Sequence, residues 1–332
     1  MSFKDFFRRR IKKEQEEKQT EELYTEELYT KENNPPVSEE IKENPLYLAP
    51  QIENNYTVYS GSDAAPVNEM KRKEKSRPCR IIAITNQKGG VGKSTTAVNL
   101  SSFLGELGYR TLVIDFDPQS NATSGLGMDK EFVKTSIYEV IISGVRPENA
   151  VLKTNYPNLL IIPSSIRLAG AEVELVSTMK REYKLKTAID QIKNDFDFII
   201  IDCPPALGLL TINALTAASE VLIPIQCEYY ALEGLGQLIN TINLIRENLN
   251  EELVITGVVM TMFDQRTKLS EQVIKEVRDF FPEKVYRTII PRNIRLSEAP
   301  SYGKPIIDYD PDCKGALAYK NLTEEVVGDD SK

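Results

Sequence analysis

The sequence predicts an α/β fold: a doubly wound, mostly parallel sheet with helices on both faces. Three observations carry that prediction. Short apolar runs rich in β-branched residues recur from Arg80 onward and read as strands buried on both faces. Stretches of helical periodicity separate them, the alternation that builds parallel sheets from crossover units. One run leads into a glycine-rich loop and two end in carboxylates, so polar chemistry gathers where the strands of an open sheet finish.

Residues 1–79 read as an extension ahead of a domain spanning 80–328. Met1 to Glu17 sets Phe3, Phe6, Phe7 and Ile11 against Arg8, Arg9, Arg10, Lys12 and Lys13, a basic amphipathic segment. Such a segment suits an anionic membrane or a partner, with a solvated tail helix as the alternative. Glu21-Glu22-Leu23-Tyr24-Thr25 recurs at once as Glu26-Glu27-Leu28-Tyr29-Thr30, too little to make a repeat fold. From Asn33 to Ser76 the chain is polar with scattered proline, and reads as a disordered linker.

The first strand is Arg80-Ile81-Ile82-Ala83-Ile84-Thr85-Asn86, and Lys93 to about Leu107 is a helix with Gly108 at its C-terminal cap. Between them lies Lys88-Gly89-Gly90-Val91-Gly92-Lys93-Ser94-Thr95. Strand, glycine loop and helix is the setting a phosphate-binding loop requires. The glycines let the backbone approach a pyrophosphate, and successive N–H groups with the helix N-terminus stabilise its charge. Lys93 bridges the β- and γ-phosphates in this reading, and the Ser94 hydroxyl holds Mg²⁺. Lys88 opens the loop, away from the far end of its own phosphates. The economical assignment sends it to a phosphate held by a second subunit; the alternative is a solvated loop lysine.

Two acidic segments converge on that loop. Thr111-Leu112-Val113-Ile114-Asp115-Phe116-Asp117-Pro118-Gln119 is a strand ending in two carboxylates, stopped by Pro118. Phe198-Ile199-Ile200-Ile201-Asp202-Cys203-Pro204-Pro205 is a fully apolar strand ending in one. Asp202 fits Mg²⁺ binding through a water. Asp117 fits orienting the attacking water, because phosphoryl transfer mostly needs positioning and charge stabilisation. Asp115 is the alternative for that role and a further candidate for the metal.

Further strands are expected at Leu159–Pro163, Val221–Ile225, Val254–Met262 and Val285–Ile290. Helices are expected at Leu168–Lys193, Gly208–Ser219, Leu232–Asn250, Ser270–Phe281 and Gly315–Val327. The four cysteines show no metal-type pairing, and Cys203 and Cys227 read as packing residues. With no histidine in the chain, a His-based triad or an imidazole-ligated zinc is excluded. No apolar run approaches the ~18 residues of a membrane span, and no signal peptide is evident, so the expected location is cytoplasmic. A net charge of −8 argues against an obvious nucleic-acid binder, although a local basic strip suffices for phosphate contacts. Arg266, Lys268, Arg292 and Arg295 are candidates, each on composition an ordinary surface charge.

Lys88 to Thr95, Asp115 to Gln119 and Ile201 to Pro205 together resemble the deviant Walker ATPases. The stretches Asn121-Ala122-Thr123-Ser124-Gly125-Leu126-Gly127, Leu207 to Leu215, Gln226 to Gly234 and Ile290 to Pro300 narrow this. They are similar to the chromosomal ParA proteins of the short Soj type, over about residues 80–328. The resemblance implies a P-loop ATPase using ATP, ADP and Mg²⁺, weak alone and stimulated by a ParB-type protein. It implies an ATP-dependent homodimer in which Lys88 of each subunit completes the other's site. Pro291-Arg292-Asn293 resembles the family's purine-contacting loop, and Arg266 and Arg295 match positions that carry non-specific binding of double-stranded DNA. The implied role is chromosome or plasmid segregation on the nucleoid, with the initiator DnaA as a further target. Soj-type proteins begin almost at the first strand, so the extension departs from the pattern.

Two other readings exist: a membrane-associated MinD-type ATPase that positions division, and a non-catalytic regulator. The acidic run from Glu324 to Lys332 is unlike MinD's C-terminal membrane helix, and intact Lys93, Ser94, Asp117 and Asp202 weigh against a vestigial site.

Overall fold

The computed structural model describes residues 78–228 and 234–328. The expectations for the basic amphipathic segment, the repeated pentapeptide and the linker lie outside the described residues. Among those described, the strands are β1 (Arg80–Ile84), β2 (Thr111–Asp115), β3 (Leu152–Lys153), β4 (Leu159–Ile162), β5 (Phe198–Asp202), β6 (Glu220–Gln226), β7 (Val254–Phe263) and β8 (Val285–Pro291). They form one sheet in the order β3-β4-β2-β5-β1-β6-β7-β8. Every pairing is parallel except the short edge strand β3, which runs antiparallel to β4. The doubly wound, mostly parallel sheet expected from the sequence is therefore the one observed.

Both faces of the central strands are dry, which is why they carry no polar alternation. On one face Ile82, Ile84, Ile200 and Leu222 pack with Leu100, Phe103 and Leu104 of helix α1 (Lys93–Glu106). Tyr319 and Leu322, from the C-terminal helix at Lys314–Gly328, complete that layer. The alternate residues Ala83, Ile199, Ile201 and Val221 are equally buried on the other face. Full burial of an aliphatic side chain stabilises by about 1.5–3 kcal/mol, so these strands carry much of the fold. The interior is tied by polar links as well. The Thr96 and Tyr319 hydroxyls lie 3.1 Å apart, and Asn99 Oδ1 accepts the Ile306 N–H at 2.7 Å.

Short elements fill the gap between β2 and β5: α2 (Asn121–Gly125), α3 (Ile137–Ile141), α4 (Leu168–Val176) and α5 (Lys184–Ile192). The last two correct the expectation of one helix over Leu168–Lys193. The chain leaves α4 at Ser177, takes a left-handed residue at Lys180 (φ 52°), then makes a 3₁₀ turn at Arg181–Tyr183 before α5. The cause is tertiary. Asn213 donates to the Arg181 carbonyl at 2.8 Å and accepts the Leu185 N–H at 3.2 Å, satisfying groups that a continuous helix would have paired internally.

The chain continues with α6 (Leu209–Ala217), α7 (Leu235–Asn248), α8 (Lys268–Phe280), α9 (Ile294–Glu298), α10 (Ile306–Tyr309) and α11 (Lys314–Gly328). Helix α7 starts after Gly234, whose φ is 79°, and the start expected at Leu232 lies outside the described residues. Among the described residues no helix is long and apolar enough to cross a membrane.

Gly105 shows how closely α1 lies on the sheet edge. A Cβ there would stand 2.4 Å from the Pro157 carbonyl oxygen, and the Gly105 carbonyl accepts from Asn158 Nδ2 at 3.0 Å. Helix propensity favours alanine over glycine by about 1 kcal/mol. The clash is with backbone that cannot rotate away, and overpacking of that kind costs about 1–3 kcal/mol. Gly105→Ala is therefore expected to lower the urea midpoint, and a raised midpoint would show that α1 has room to shift.

Candidate functional site

The C-terminal ends of β1, β2 and β5 meet at one crevice because the parallel register puts them level: Ile84 is aligned with Asp202, and Asp202 with Asp115. The loop from β1 to α1 rises over this edge. Asn86 fixes its base, donating to the Pro224 carbonyl at 2.7 Å and accepting the Lys88 N–H at 3.0 Å. Gly90 and Gly92 take φ of 73° and 93°, a turn that a side chain would strain. The Val91 carbonyl is held by the Thr261 hydroxyl at 2.9 Å, so β7 braces the loop from behind.

The loop bounds a cavity of 510 Å³, ample for a nucleotide phosphate tail and its base. Gly89, Gly90, Gly92, Lys93, Ser94 and Thr95 line it, as do Asp117 and Pro205. Val91 is buried behind the loop instead. The structure thus brings Lys93, Ser94 and Asp117 together, with Asp202 beneath them.

The buried charges have few partners. Lys93 donates to the Lys88 carbonyl at 3.1 Å, and burial pulls its pKa down against the opposing pull of Asp202 and Asp117. Asp202 is fully buried, and burial followed by the nearby Asp115 charge pushes its pKa well up, opposed by Ser94 and Lys93. Neither Asp202 oxygen has a hydrogen-bond partner of ordinary geometry. A divalent cation would satisfy such a carboxylate. Among the described residues no cluster of three or more acidic or cysteine side chains forms a cage. Mg²⁺ keeps its waters and takes few protein ligands beside substrate phosphates. Ser94 and Asp202 are the residues that would hold it.

Asp115 is different. Burial raises its pKa to about 6, yet its oxygens are already engaged. Oδ2 accepts the Thr123 N–H at 2.7 Å and hydroxyl at 2.6 Å, while Oδ1 faces the Asp117 N–H at 3.3 Å. Of the two candidates for the attacking water, Asp117 lines the cavity.

Lys88 does not line the cavity that its own loop bounds. Its ammonium instead pairs with Glu228 at 3.5 Å, half exposed at the rim. The far wall of the cavity is built by Met262, Ala299, Pro300, Ser301 and Lys304, residues to which the sequence assigns no role in the site. Pro291, Arg292 and Asn293 lie just before it, outside the cavity lining. Arg292 N–H bonds the Phe263 carbonyl at 2.9 Å, and Asn293 caps α9 by accepting the Arg295 N–H at 2.8 Å. Arg266 is 85% exposed and doubly bonded to Asp264, at 2.6 and 2.9 Å. Arg295 pairs with Glu298 at 2.9 Å and Asp310 at 3.2 Å.

Comparison with known proteins places this geometry. A family model described as an AAA domain matches residues 79–255. The sporulation initiation inhibitor protein Soj of Bacillus subtilis is 57% identical over 248 residues, covering 75% of this chain and 98% of that protein. The chromosome partitioning protein ParA of Caulobacter vibrioides is 49% identical over 254 residues, covering 76% of this chain and 95% of its own. The chain belongs to the Soj/ParA family of chromosome-partitioning ATPases. Cobyrinic acid a,c-diamide synthase of Mycobacterium smegmatis, solved with ADP and magnesium, superposes with a TM-score of 0.68 at 37% identity. That match covers 76% of this chain and 96% of the synthase.

A Soj/ParA fold that buries Asp202 with only Ser94 and Lys93 to oppose the burial gives up stability. The folded pKa of Asp202 lies above its unfolded value, so ionisation is penalised by folding and the loss sets in as pH rises past the unfolded carboxylate range. In nucleotide-free protein with the metal chelated, Asp202→Asn is expected to unfold at a higher temperature than the parent at pH 7. The gap should close as pH falls towards 4, the ordinary carboxylate range. A variant no more stable at neutral pH would show that Asp202 is already compensated.

Proposed function

We propose that this chain is an ATP-driven switch for chromosome or plasmid segregation, in which two subunits close face to face around their nucleotides. ATP, ADP and Mg²⁺ are its cofactors. Lys93 clamps the terminal phosphates, Ser94 and Asp202 hold Mg²⁺, and Asp117 orients the attacking water. Asp115 serves the loop rather than the metal. The observation that carries the dimeric reading is the division between two lysines of one loop. Lys93 is buried in the cavity, whereas Lys88 points out of it to Glu228 at the rim. Among the described residues the Lys88 side chain pairs with one exposed carboxylate, a weak contact that it can exchange for a phosphate presented by a second copy.

The ATP-bound dimer would hold double-stranded DNA without sequence preference, through Arg266 and Arg295. Their present partners are carboxylates on the protein's own surface, and exposed ion pairs are weak enough to exchange for phosphates. Hydrolysis, slow alone and stimulated by a ParB-type protein, would release the DNA; DnaA is a further target within the same reading. The corresponding location is the cytoplasm, on the nucleoid. The loop at Pro291, Arg292 and Asn293 would reach the purine by way of the wall it leads into.

ATP-dependent co-sedimentation with plasmid DNA and with anionic liposomes, with phosphate release measured in parallel, tests this reading. The parent is expected to follow the DNA, with log affinity falling by about 0.9 per neutralised phosphate for each unit of log salt. Arg266→Glu and Arg295→Glu should each weaken DNA binding severely and leave ATP binding unchanged. Charge-reversed protein that still binds plasmid at physiological salt would move the DNA surface elsewhere, and ATP-dependent binding to liposomes alone would favour the membrane-associated reading.

A further inference from the structure

The stretch from Asn121 to Gly127 contains a residue whose side chain works harder than its position in a short helix requires. Thr123 is fully buried, and so are Asp115 and Ser164 on either side of it. Its hydroxyl donates to Asp115 Oδ2 at 2.6 Å and accepts the Ser164 N–H at 3.0 Å. Its own N–H adds a second bond to the same Asp115 oxygen at 2.7 Å. Asp115 ends β2, and Ser164 lies just beyond the end of β4, the strand beside it. One hydroxyl therefore ties two neighbouring strand ends to the first turn of α2.

Asp117 sits inside the loop that this tie closes. Asp115 Oδ1 faces the Asp117 N–H at 3.3 Å. Asp117 Oδ1 accepts the Gln119 N–H at 2.9 Å, and its carbonyl accepts from Ser120 at the same distance. Residues 116–122 thus run from one end of the tie to the other, with the cavity-facing carboxylate among them. At the start of the stretch the Phe116 N–H also reaches the Asp202 carbonyl at 3.0 Å, so the tie through Thr123 secures its far end.

We propose that Thr123 is a positioning residue for hydrolysis, its hydroxyl locking the Asp115 carboxylate and the Ser164 backbone so that Asp117 is held facing the cavity. This rests on the assignment of Asp117 to the attacking water. Thr123 touches neither nucleotide nor water and acts only through the loop. Removing the hydroxyl leaves Asp115 with one donor fewer and the Ser164 N–H without its acceptor, and slackens the turn that carries Asp117. Lys93, Ser94 and Asp202 hang from other elements and stay where they are. Hydrolysis and ATP binding should therefore separate.

The test uses full-length Thr123→Val and Thr123→Ser, with Asp117→Ala as reference and Mg²⁺-ATP as the probe. Thr123→Val is expected to lower kcat by between about 10- and 100-fold, the scale of an ångström of misplacement. Its ATP dissociation constant should stay within about twofold of the parent, because uniform binding is untouched. Thr123→Ser keeps the hydroxyl and should recover most of the rate. If valine at this position prevents folding, Thr123→Ala carries the same expectation with less crowding. A valine or alanine variant that hydrolyses at the parent rate while Asp117→Ala is inactive would overturn the inference, as would equal loss of ATP binding and rate. A serine variant as slow as valine would overturn it too, since shape and not the hydroxyl would then matter. Should Asp117→Ala itself turn over ATP normally, the reading of Asp117 falls and takes this role of Thr123 with it.

Discussion

Parallel pairing aligns Asp115 with Asp202, so two carboxylates finish adjacent strands at the same level inside a dry protein. Like charges that close resist ionising together, and burial adds to the resistance. Asp115 is compensated by the Thr123 hydroxyl and backbone. Asp202 has only the neighbouring Ser94 and Lys93 to oppose its burial. Strands β1 and β5 contribute stability through Ile82, Ile84, Ile199, Ile200 and Ile201, all buried, and the strand ends give up part of it. Functional sites are where a fold gives up local optimisation, and this edge is such a place.

The loop above the carboxylates divides its charges by depth. Lys93 goes down into the crevice under the Lys88 carbonyl; the Lys88 side chain stays at the rim beside Glu228. The bracing is asymmetric in the same way. Asn86 and Thr261 pin the base and back of the loop, while its tip at Gly89 and Gly90 has no neighbour within 4 Å of where a Cβ would stand. A tip with open space on one side and a fixed base on the other can receive phosphates without rearranging the sheet.

The strands and the phosphate loop were legible because each is local: an apolar β-branched run, or glycines between a strand and a helix. The edge strand Leu152–Lys153 and the short helices α2, α3, α9 and α10 were not, being too brief for a period to register. The break between α4 and α5 was invisible for another reason. Apolar residues keep helical spacing through Leu168, Ala171, Leu175, Leu185 and Ala188, and no proline or glycine marks the stop. Asn213, on a different helix, makes the interruption affordable. Within the site, the sequence favours Asp117 over Asp115 for the attacking water but does not show what engages Asp115. The engagement of Asp115 by Thr123 depends on a contact eight residues along, and the far wall at Ala299 to Lys304 is brought to the crevice from more than 170 residues beyond the lining residues Asn121 to Gly125.

The face-to-face reading stands most directly on Lys88. Light scattering of Lys88→Ala with ATP and Mg²⁺, beside the parent and a parallel measurement of ATP affinity, puts it to the test. The cross-subunit role predicts a variant that binds ATP like the parent but keeps the mass of a monomer under conditions where the parent doubles. An ATP-dependent dimer of Lys88→Ala would contradict it.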